Sequence, residues 1–220
     1  MFTSAGSHGG RLGRGMTDNG RAPRLLMAQC NMTELDTPGS DFIAALSGYR
    51  RQWPEEAECV DQFIALATDP GNPYVRDRLD GHFTASSWLV SADGSRTLLT
   101  HHRKLGIWVQ PGGHADGDRN LARVALREAE EESGLRALAL GAGIWSGIFD
   151  LDRHWIPEHK GVPAHWHYDV RYVVQAGADE AFVVSEESHA LAWRGIDAVA
   201  ADPAMDASLR RMARKWLARL

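Results

Sequence analysis

The sequence predicts an α/β fold, in which a mixed sheet packs against helices and a helical extension precedes it. Three observations support this prediction. Residues 38–80 place apolar side chains three and four positions apart, as in amphipathic helices. From residue 82 onward, short apolar or alternating runs between glycine-containing turns indicate strands. Two amphipathic segments, 120–135 and 203–220, predict helices within and after those strands.

The first 80 residues divide into a tail and a helical extension. Residues 1–36 are rich in Gly, Ser, Arg and Asn without apolar periodicity, so we expect a disordered tail. Residues 37–80 contain two predicted helices, 41–52 and 54–69, and Pro54 suits a first helical position. We expect this extension to pack on the following domain or on a second subunit.

Residues 81–220 are predicted to form the main domain. The glycine-rich segment 111–118 is expected to be a loop, because glycine permits unusual dihedrals and close approach of a ligand. The segment 189–199 is expected to start as a strand and lead into a turn. The remaining strands are predicted at 83–91, 96–103, 106–110, 143–152 and 167–177.

Composition excludes several classes of protein. The chain has 220 residues, 44% of them hydrophobic, which is enough for one moderate domain with an extension. A net charge of −5 gives no nucleic-acid-binding footprint. Two cysteines do not make a disulfide framework, so a cytoplasmic location is expected. No apolar run reaches the length of a membrane helix.

The helix predicted at 120–135 turns acidic on its inward face. Its apolar stripe starts at Leu121 and Val124 and continues through Glu128, Glu131 and Glu132. Three carboxylates facing a protein body need compensation, because burying a charge without a partner costs several kcal/mol. A divalent cation would supply it, and the alternative is a solvated acidic face.

The spacing around this helix matches a known motif. Gly113 is followed after thirteen residues by REAEEESGL, residues 127–135. This pattern resembles the Nudix box of the Nudix hydrolases, which runs Gly, five residues, Glu, seven residues, then Arg-Glu-U-x-Glu-Glu-x-Gly-U, with U apolar. Every spacing from Gly113 to Leu135 fits. Arg119 stands in place of the early Glu, and the neighbouring Asp118 is a candidate for a displaced carboxylate.

The resemblance implies a Nudix-type α/β/α sandwich and a metal-dependent hydrolase. It implies that Mg²⁺, or alternatively Mn²⁺, is held by the carboxylates of Glu128, Glu131 and Glu132 and by the carbonyl of Gly112. Glu128 is the expected general base, Glu131 is expected to share in catalysis, and Arg127 is expected to orient Glu131 from four residues away.

Six further residues are candidates for contacting the substrate. Histidines and basic residues suit phosphates, and a tryptophan could stack on a base. On a strand, residues 165, 167, 169 and 171 share one face and could line a cleft, while the alternative is a solvated polar face. The six candidates are His114, Lys104, Arg103, His167, Arg171 and Trp108.

The predicted function is therefore a Mg²⁺-dependent pyrophosphohydrolase that cleaves the diphosphate linkage of a nucleoside diphosphate derivative by metal-activated water. The alternatives are an enzyme like the Nudix-fold prenyl-diphosphate isomerases and a non-catalytic nucleotide-binding module. No Cys lies in 82–220, which argues against the isomerase, and all three box glutamates are present, which argues against the module. The expected partner is a small molecule, and we expect neither nucleic acid nor a membrane as a partner. The chain itself is expected to be a monomer or a homodimer.

Overall fold

The computed structural model describes residues 40–102, 106–142, 144–159, 161–184 and 188–218. The tail predicted at 1–36 lies outside these residues, as do Arg103 and Lys104. The boundary predicted between 80 and 81 stays a prediction. Helices are α1 (Ser40–Gln52), α2 (Ala57–Thr68), α3 (Leu121–Ser133), α4 (Ile196–Ala201) and α5 (Ala207–Leu217), with a 3-10 turn at Pro54–Glu56.

The described strands form one mixed eight-stranded sheet. They are β1 (His82–Val90), β2 (Arg96–His102), β3 (Trp108–Val109), β4 (Gly112–His114), β5 (Ala139–Leu140), β6 (Ile148–Ile156), β7 (His165–Gln175) and β8 (Ser188–Gly195). The centre of the sheet is the parallel pair β1–β7, and β2, β4, β5 and β6 pair antiparallel with one or the other. Strands β3 and β8 pair antiparallel with β2.

Apolar clusters join the helices to this sheet, which confirms the predicted fold class. Helices α1 and α2 share one cluster with β1 and α3, in which Phe63 stacks on Phe83 with ring centroids 6.2 Å apart. Helices α4 and α5 share another with Trp88 and Phe149. The helical extension therefore packs on its own sheet. Among the described residues, no helix has the length and apolar character needed to cross a membrane.

Four elements differ from the sequence-based expectation. The glycine segment expected to be a loop contains β4, which pairs with β1. The strand expected at 143–152 begins only at Ile148 and continues to Ile156. The turn expected after β8 is the short helix α4, and β5 was not predicted. Strands of two or three residues carry too short a pattern to be recognised without their partners.

Candidate active site

Helix α3 is held in place by regular caps and a buried stripe. The Asn120 side chain accepts a hydrogen bond from the Arg123 amide at 3.0 Å, which satisfies one free N–H of the first turn. Gly134 ends the helix with φ of 69°, the left-handed conformation that glycine adopts without strain. Val124, Ala125 and Ala129 are buried, so the helix presents one fixed face to β1 and β4.

Two of the three box carboxylates reach the glycine strand β4. The Gly112 amide donates to Glu132 Oε1 at 3.0 Å. Gly113 lies so close to Glu128 that a Cβ at that position would be 2.5 Å from Glu128 Oε2. Glu131 differs, because its side chain is 65% exposed whereas that of Glu128 is 17% exposed. Glu128 and Glu132 thus face β4, and Glu131 stands at the rim.

Arg127 contacts Glu128 more closely than Glu131. Its Nη2 donates to Glu128 Oε1 at 3.1 Å and to the His114 carbonyl at 3.4 Å. Its Nε lies 4.0 Å from Glu131 Oε1. The orienting of Glu131 by Arg127 therefore stays a prediction, and the stronger contacts of the guanidinium group join Glu128 to the end of β4.

The position of the early box glutamate is taken by an exposed cation. The Arg119 guanidinium carbon lies 5.6 Å from the centre of the Tyr74 ring. Neighbouring Asp118 accepts two hydrogen bonds from Arg123, at 3.0 and 2.9 Å, and one from the Asn120 amide at 2.9 Å. Asp118 is thus engaged at the start of α3.

Behind β4 lies a buried polar network centred on Asp169. Its carboxylate accepts hydrogen bonds from Ser86 at 2.7 and 2.8 Å and from Thr84 at 3.0 Å. Gln110, just before β4, donates to it at 3.2 Å. A Cβ on Gly112 would lie 2.7 Å from Ser86 Cβ, so β4 rests directly on this network. These partners are far apart in sequence and escaped prediction.

Arg171 belongs to the protein interior and leaves the set of substrate candidates. Its side chain is only 3% exposed, and it pairs with Asp169 at 2.8 Å, Asp150 at 3.2 Å and Asp152 at 3.3 Å. The polar face of β7 is therefore neither solvated nor wholly a cleft wall. Its Asp169–Arg171 half is buried, because neighbouring strands supply the opposite charges.

The other half of this face lines a cavity of about 520 Å³. Burial, together with the nearby Arg76 charge, lowers the pKa of His114 to about 4. Burial also lowers the pKa of His167 to about 2, with His114 as the next cause. Both imidazoles are therefore neutral at pH 7. The cavity is lined by, among others, Arg76, His82, His114, His159, His165 and His167.

One set of three groups in the described residues has the spacing of a metal site, and it consists of histidines. A ring nitrogen from each of His82, His165 and His167 lies within 4.8 Å of the others. The carboxylates of Glu128, Glu131 and Glu132 do not all lie within 4.8 Å of one another. His82 opens β1 and was not singled out from the sequence, since its neighbour on β7 became apparent only from the parallel register His82↔His167.

The last substrate candidate, Trp108, is half-buried on β3. The Arg194 guanidinium carbon lies 4.7 Å from the centre of the ring, and the His101 ring centroid is 5.2 Å away. A cation thus already covers one face of the indole, which leaves the stacking of a base on it a prediction.

Comparisons with known proteins agree with the motif. A sequence model of the family described as NUDIX domain matches residues 81–217. The m7GpppN-mRNA hydrolase NUDT17 of Xenopus laevis is 32% identical over 97 residues, which are 40% of this chain and 30% of that protein. The chain thus covers less than a third of the length of this relative.

Solved structures of Nudix proteins are also similar to this chain. A NUDIX-family hydrolase from Clostridium perfringens is 20% identical with a TM-score of 0.49, over 63% of this chain and 98% of that one. A C. elegans Ap4A hydrolase binary complex is 20% identical with a TM-score of 0.45, over 62% and 96%. The family match spans more than half of the sequence and contains the whole box. The resemblance is thereby confirmed, and the chain belongs to the Nudix family.

Proposed function

We propose that the chain is a Nudix pyrophosphohydrolase that cleaves the diphosphate linkage of a nucleoside diphosphate derivative. The observation that carries this proposal is the contact of two box carboxylates with β4. Glu132 binds the Gly112 amide, and Glu128 packs against Gly113 where a side chain would collide with it. A glycine strand facing two acidic side chains supports an arrangement built for a cation and a phosphate.

The donors fit Mg²⁺, with Mn²⁺ as a substitute. Carboxylate and carbonyl oxygens are the hard ligands that these ions prefer. In the proposal, Glu128, Glu131 and Glu132 and the Gly112 carbonyl hold the ion, with Glu131 contributing from the exposed rim. When bound, the ion would neutralise charge on the diphosphate and make the attacking water more acidic.

The protein's own groups then position the reactants and handle the proton. We assign Glu128 as the group that accepts the proton of the attacking water, because its carboxylate lies against β4 and is held by Arg127. Arg127 is a positioning residue. Cleavage of a phosphoanhydride needs mainly orientation and charge stabilisation, so a protein nucleophile is not required.

We assign the cavity beside β4 as the pocket for the rest of the substrate. His114 directly follows Gly113, and His167 faces it with ring centroids 5.0 Å apart. Arg76 at the cavity adds a positive charge, although its guanidinium already donates to Asp116 at 2.7 Å. Lys104 and Arg103 stay predicted substrate contacts outside the described residues.

A panel assay tests the function. The purified chain is incubated with Mg²⁺ and a series of possible substrates, namely sugar nucleotides, dinucleoside polyphosphates, coenzyme A and oxidised nucleotides. A capped dinucleotide is added as a further candidate substrate because of the similarity to NUDT17. We expect phosphate-containing products from at least one, abolished by a chelator. Binding without turnover would instead favour the nucleotide-binding module. Rearrangement of a prenyl diphosphate without hydrolysis would favour the isomerase.

The location and the assembly of the chain complete the proposal. We propose a cytoplasmic enzyme on the basis of its two cysteines. Homodimer formation stays a prediction. Light scattering of the protein as it elutes from a size-exclusion column would measure its molar mass and so test this prediction.

A further inference from the structure

We propose that His82, His165 and His167 form a second metal site, which binds a divalent transition-metal ion and is expected to take Zn²⁺. None of its ligand residues belongs to the proposed Mg²⁺ site on the box carboxylates. It lies where β1 and β7 begin side by side, in the wall of the cavity next to β4. Three nitrogen donors suit Zn²⁺, whereas Mg²⁺ prefers oxygen.

The register of two parallel strands creates the cluster. His165 and His167 are two residues apart on β7, so their side chains share one face, and their Nε2 atoms are 3.1 Å apart. His82 is the register partner of His167 on β1. One nitrogen from each ring lies within 4.8 Å of the others. Tetrahedral ligands at Zn–N distances of 2.0–2.1 Å would be about 3.3 Å apart. The two β7 nitrogens already have about this spacing, and the His82 ring would have to approach them by up to about 1.5 Å.

Two of the three rings are oriented by backbone carbonyls. His165 Nδ1 lies 2.7 Å from the Pro163 carbonyl, and His82 Nδ1 lies 3.1 Å from the Arg78 carbonyl. A carbonyl oxygen only accepts, so each Nδ1 carries the hydrogen and each Nε2 keeps its lone pair. Histidine ligands of metals usually donate their second nitrogen in this way, which fixes the tautomer and the ring orientation.

A buried nitrogen without a hydrogen-bond partner supports the metal site. His82 is 1% exposed, and its Nε2 is buried without a hydrogen-bond partner in the structure. A buried polar atom without a partner is costly and calls for an explanation, such as an ion. A metal on His82 Nε2 would satisfy that atom. His165 Nε2 and His167 Nε2, which lie 3.1 Å from each other, would complete a three-nitrogen set.

The site has an open side. His165 and His167 both line the cavity, so a fourth position on the ion would face it. Three protein ligands with a fourth position left for water or substrate is the arrangement of reactive rather than structural zinc sites. An anionic oxygen of a molecule in the cavity is the expected fourth ligand.

Metal titration of the full chain tests the site. The chain is stripped with a chelator and titrated with Zn²⁺ against a chromophoric competitor, with unfolding temperature as a second readout. We expect one tight equivalent that raises the unfolding temperature, since a ligand of the native state stabilises it. His167→Gln and His165→Gln should each weaken binding at least about 10-fold, the scale of lost supporting contacts at such sites.

The controls separate this site from its neighbours. His159→Gln changes a histidine that lines the same cavity outside the cluster, and should leave Zn²⁺ affinity unchanged. Glu132→Gln alters the box and should also leave it unchanged. Co²⁺ added to the unmodified chain should give the intense visible bands of a four-coordinate site, and His167→Gln should remove them.

Three outcomes would overturn the inference. One is the absence of tight Zn²⁺ binding and of the Co²⁺ bands in the unmodified chain. Another is equal affinity in the folded His167→Gln variant, with folding checked by circular dichroism. The third is loss of binding in Glu132→Gln alone, which would place the ion on the box. Because the Co²⁺ spectrum needs no substitution, it decides even where His165→Gln fails to fold.

Discussion

At the scale of single residues, the acidic side chains of α3 differ in what they face. Glu132 accepts a hydrogen bond from the Gly112 amide, whereas Glu130 is exposed. The helical period predicts this difference, since Glu130 falls roughly opposite to Leu121. It makes the two positions a matched pair for testing the proposed metal site.

We predict that Glu132→Gln removes most of the activity while the protein stays folded. The substitution keeps the shape and one oxygen acceptor for the Gly112 amide but removes the charge that would hold the cation. We expect a fall of about 100-fold or more in kcat/KM, or roughly 2.7 kcal/mol of transition-state stabilisation. Steady-state kinetics with Mg²⁺ measures it. Glu130→Gln should change the rate little, and full turnover by the Glu132 variant would contradict the metal assignment.

We also predict that Arg119→Glu is tolerated or mildly activating. Arg119 is exposed, and its guanidinium group over the Tyr74 ring contributes only about 0.5–1 kcal/mol at such a site. The substitution restores the carboxylate of the Nudix pattern next to Asp118. Kinetics and thermal unfolding are compared with those of the parent chain. A folded, inactive variant would show that Arg119 has a role of its own.

Single residues were predictable where the motif or the helical period constrained them. Glu128 and Glu132 were predicted because they continue the stripe of Val124. His82 was missed, because its significance arises from a parallel partner 85 positions along the chain. Arg171 was assigned to the wrong environment, because the carboxylates that enclose it lie on β6 as well as β7.

At the scale of elements, the contact between β4 and α3 determines the geometry of the site. The sequence predicted both as separate pieces, a glycine loop and an acidic helix. The predicted loop is a strand because Gly112 and Gly113 pair with Ser86 and Ala85 of β1. A side chain on Gly112 would collide with β1, and one on Gly113 would collide with Glu128 of α3. Such a fit is a property of two elements together and is absent from either sequence alone.

Gly113→Ala should therefore damage activity more than stability. The added Cβ would lie 2.5 Å from Glu128 Oε2 and force that carboxylate away from β4. Glu128 is a side chain that can move, so we expect a stability loss of about 1–2 kcal/mol and a fall of at least about 10-fold in kcat. Kinetics and urea unfolding measure the two effects.

Gly147→Ala is the matched control, because a Cβ there meets no atom within 4 Å. This variant should keep both activity and stability near those of the parent chain. An unchanged kcat in a folded Gly113→Ala variant would contradict the role that we assign to Glu128.

At the scale of the whole molecule, a buried charge cluster joins the N-terminal helices to the C-terminal one. Lys215 of α5 lies 2.7 Å from Asp150 Oδ1 and 2.6 Å from Glu56 Oε1. It also donates to the Tyr49 hydroxyl at 2.6 Å, across 166 positions of sequence. The sequence left open whether the extension packs on its own domain or on another subunit, because no local pattern reveals contacts over that separation.

Asp150→Asn should be strongly destabilising. Asp150 is fully buried, and its carboxylate faces three cations, namely Lys215, Arg211 at 2.7 Å and Arg171 at 3.2 Å. Removing one charge from a buried cluster leaves its partners uncompensated, which typically costs about 3–5 kcal/mol. Urea unfolding measures the loss of unfolding free energy.

The exposed pair formed by Arg50 and Asp61 provides the control. Both side chains are about half exposed, so Asp61→Asn should change stability by less than about 1 kcal/mol. Equal effects of the two substitutions would show that the cluster contributes no more than a surface pair.

The stability of the metal-free protein should fall as the pH drops from 7 to 5. The pKa of His114 is lowered to about 4 and that of His167 to about 2, both first by burial, while the unfolded value is about 6.5. The unfolded chain thus binds more protons below pH 6.5, and stability present above that pH is lost as the pH falls towards the folded pKa. Each of the two histidines should account for a loss of roughly 2 kcal/mol of unfolding free energy at pH 5.

Urea unfolding with a chelator at pH 7, 6 and 5 measures the loss. His167→Gln should reduce the slope of unfolding free energy against pH by about one proton. Stability that stays constant or increases down to pH 5 would show that these imidazoles are protonated as readily in the folded chain as in the unfolded one.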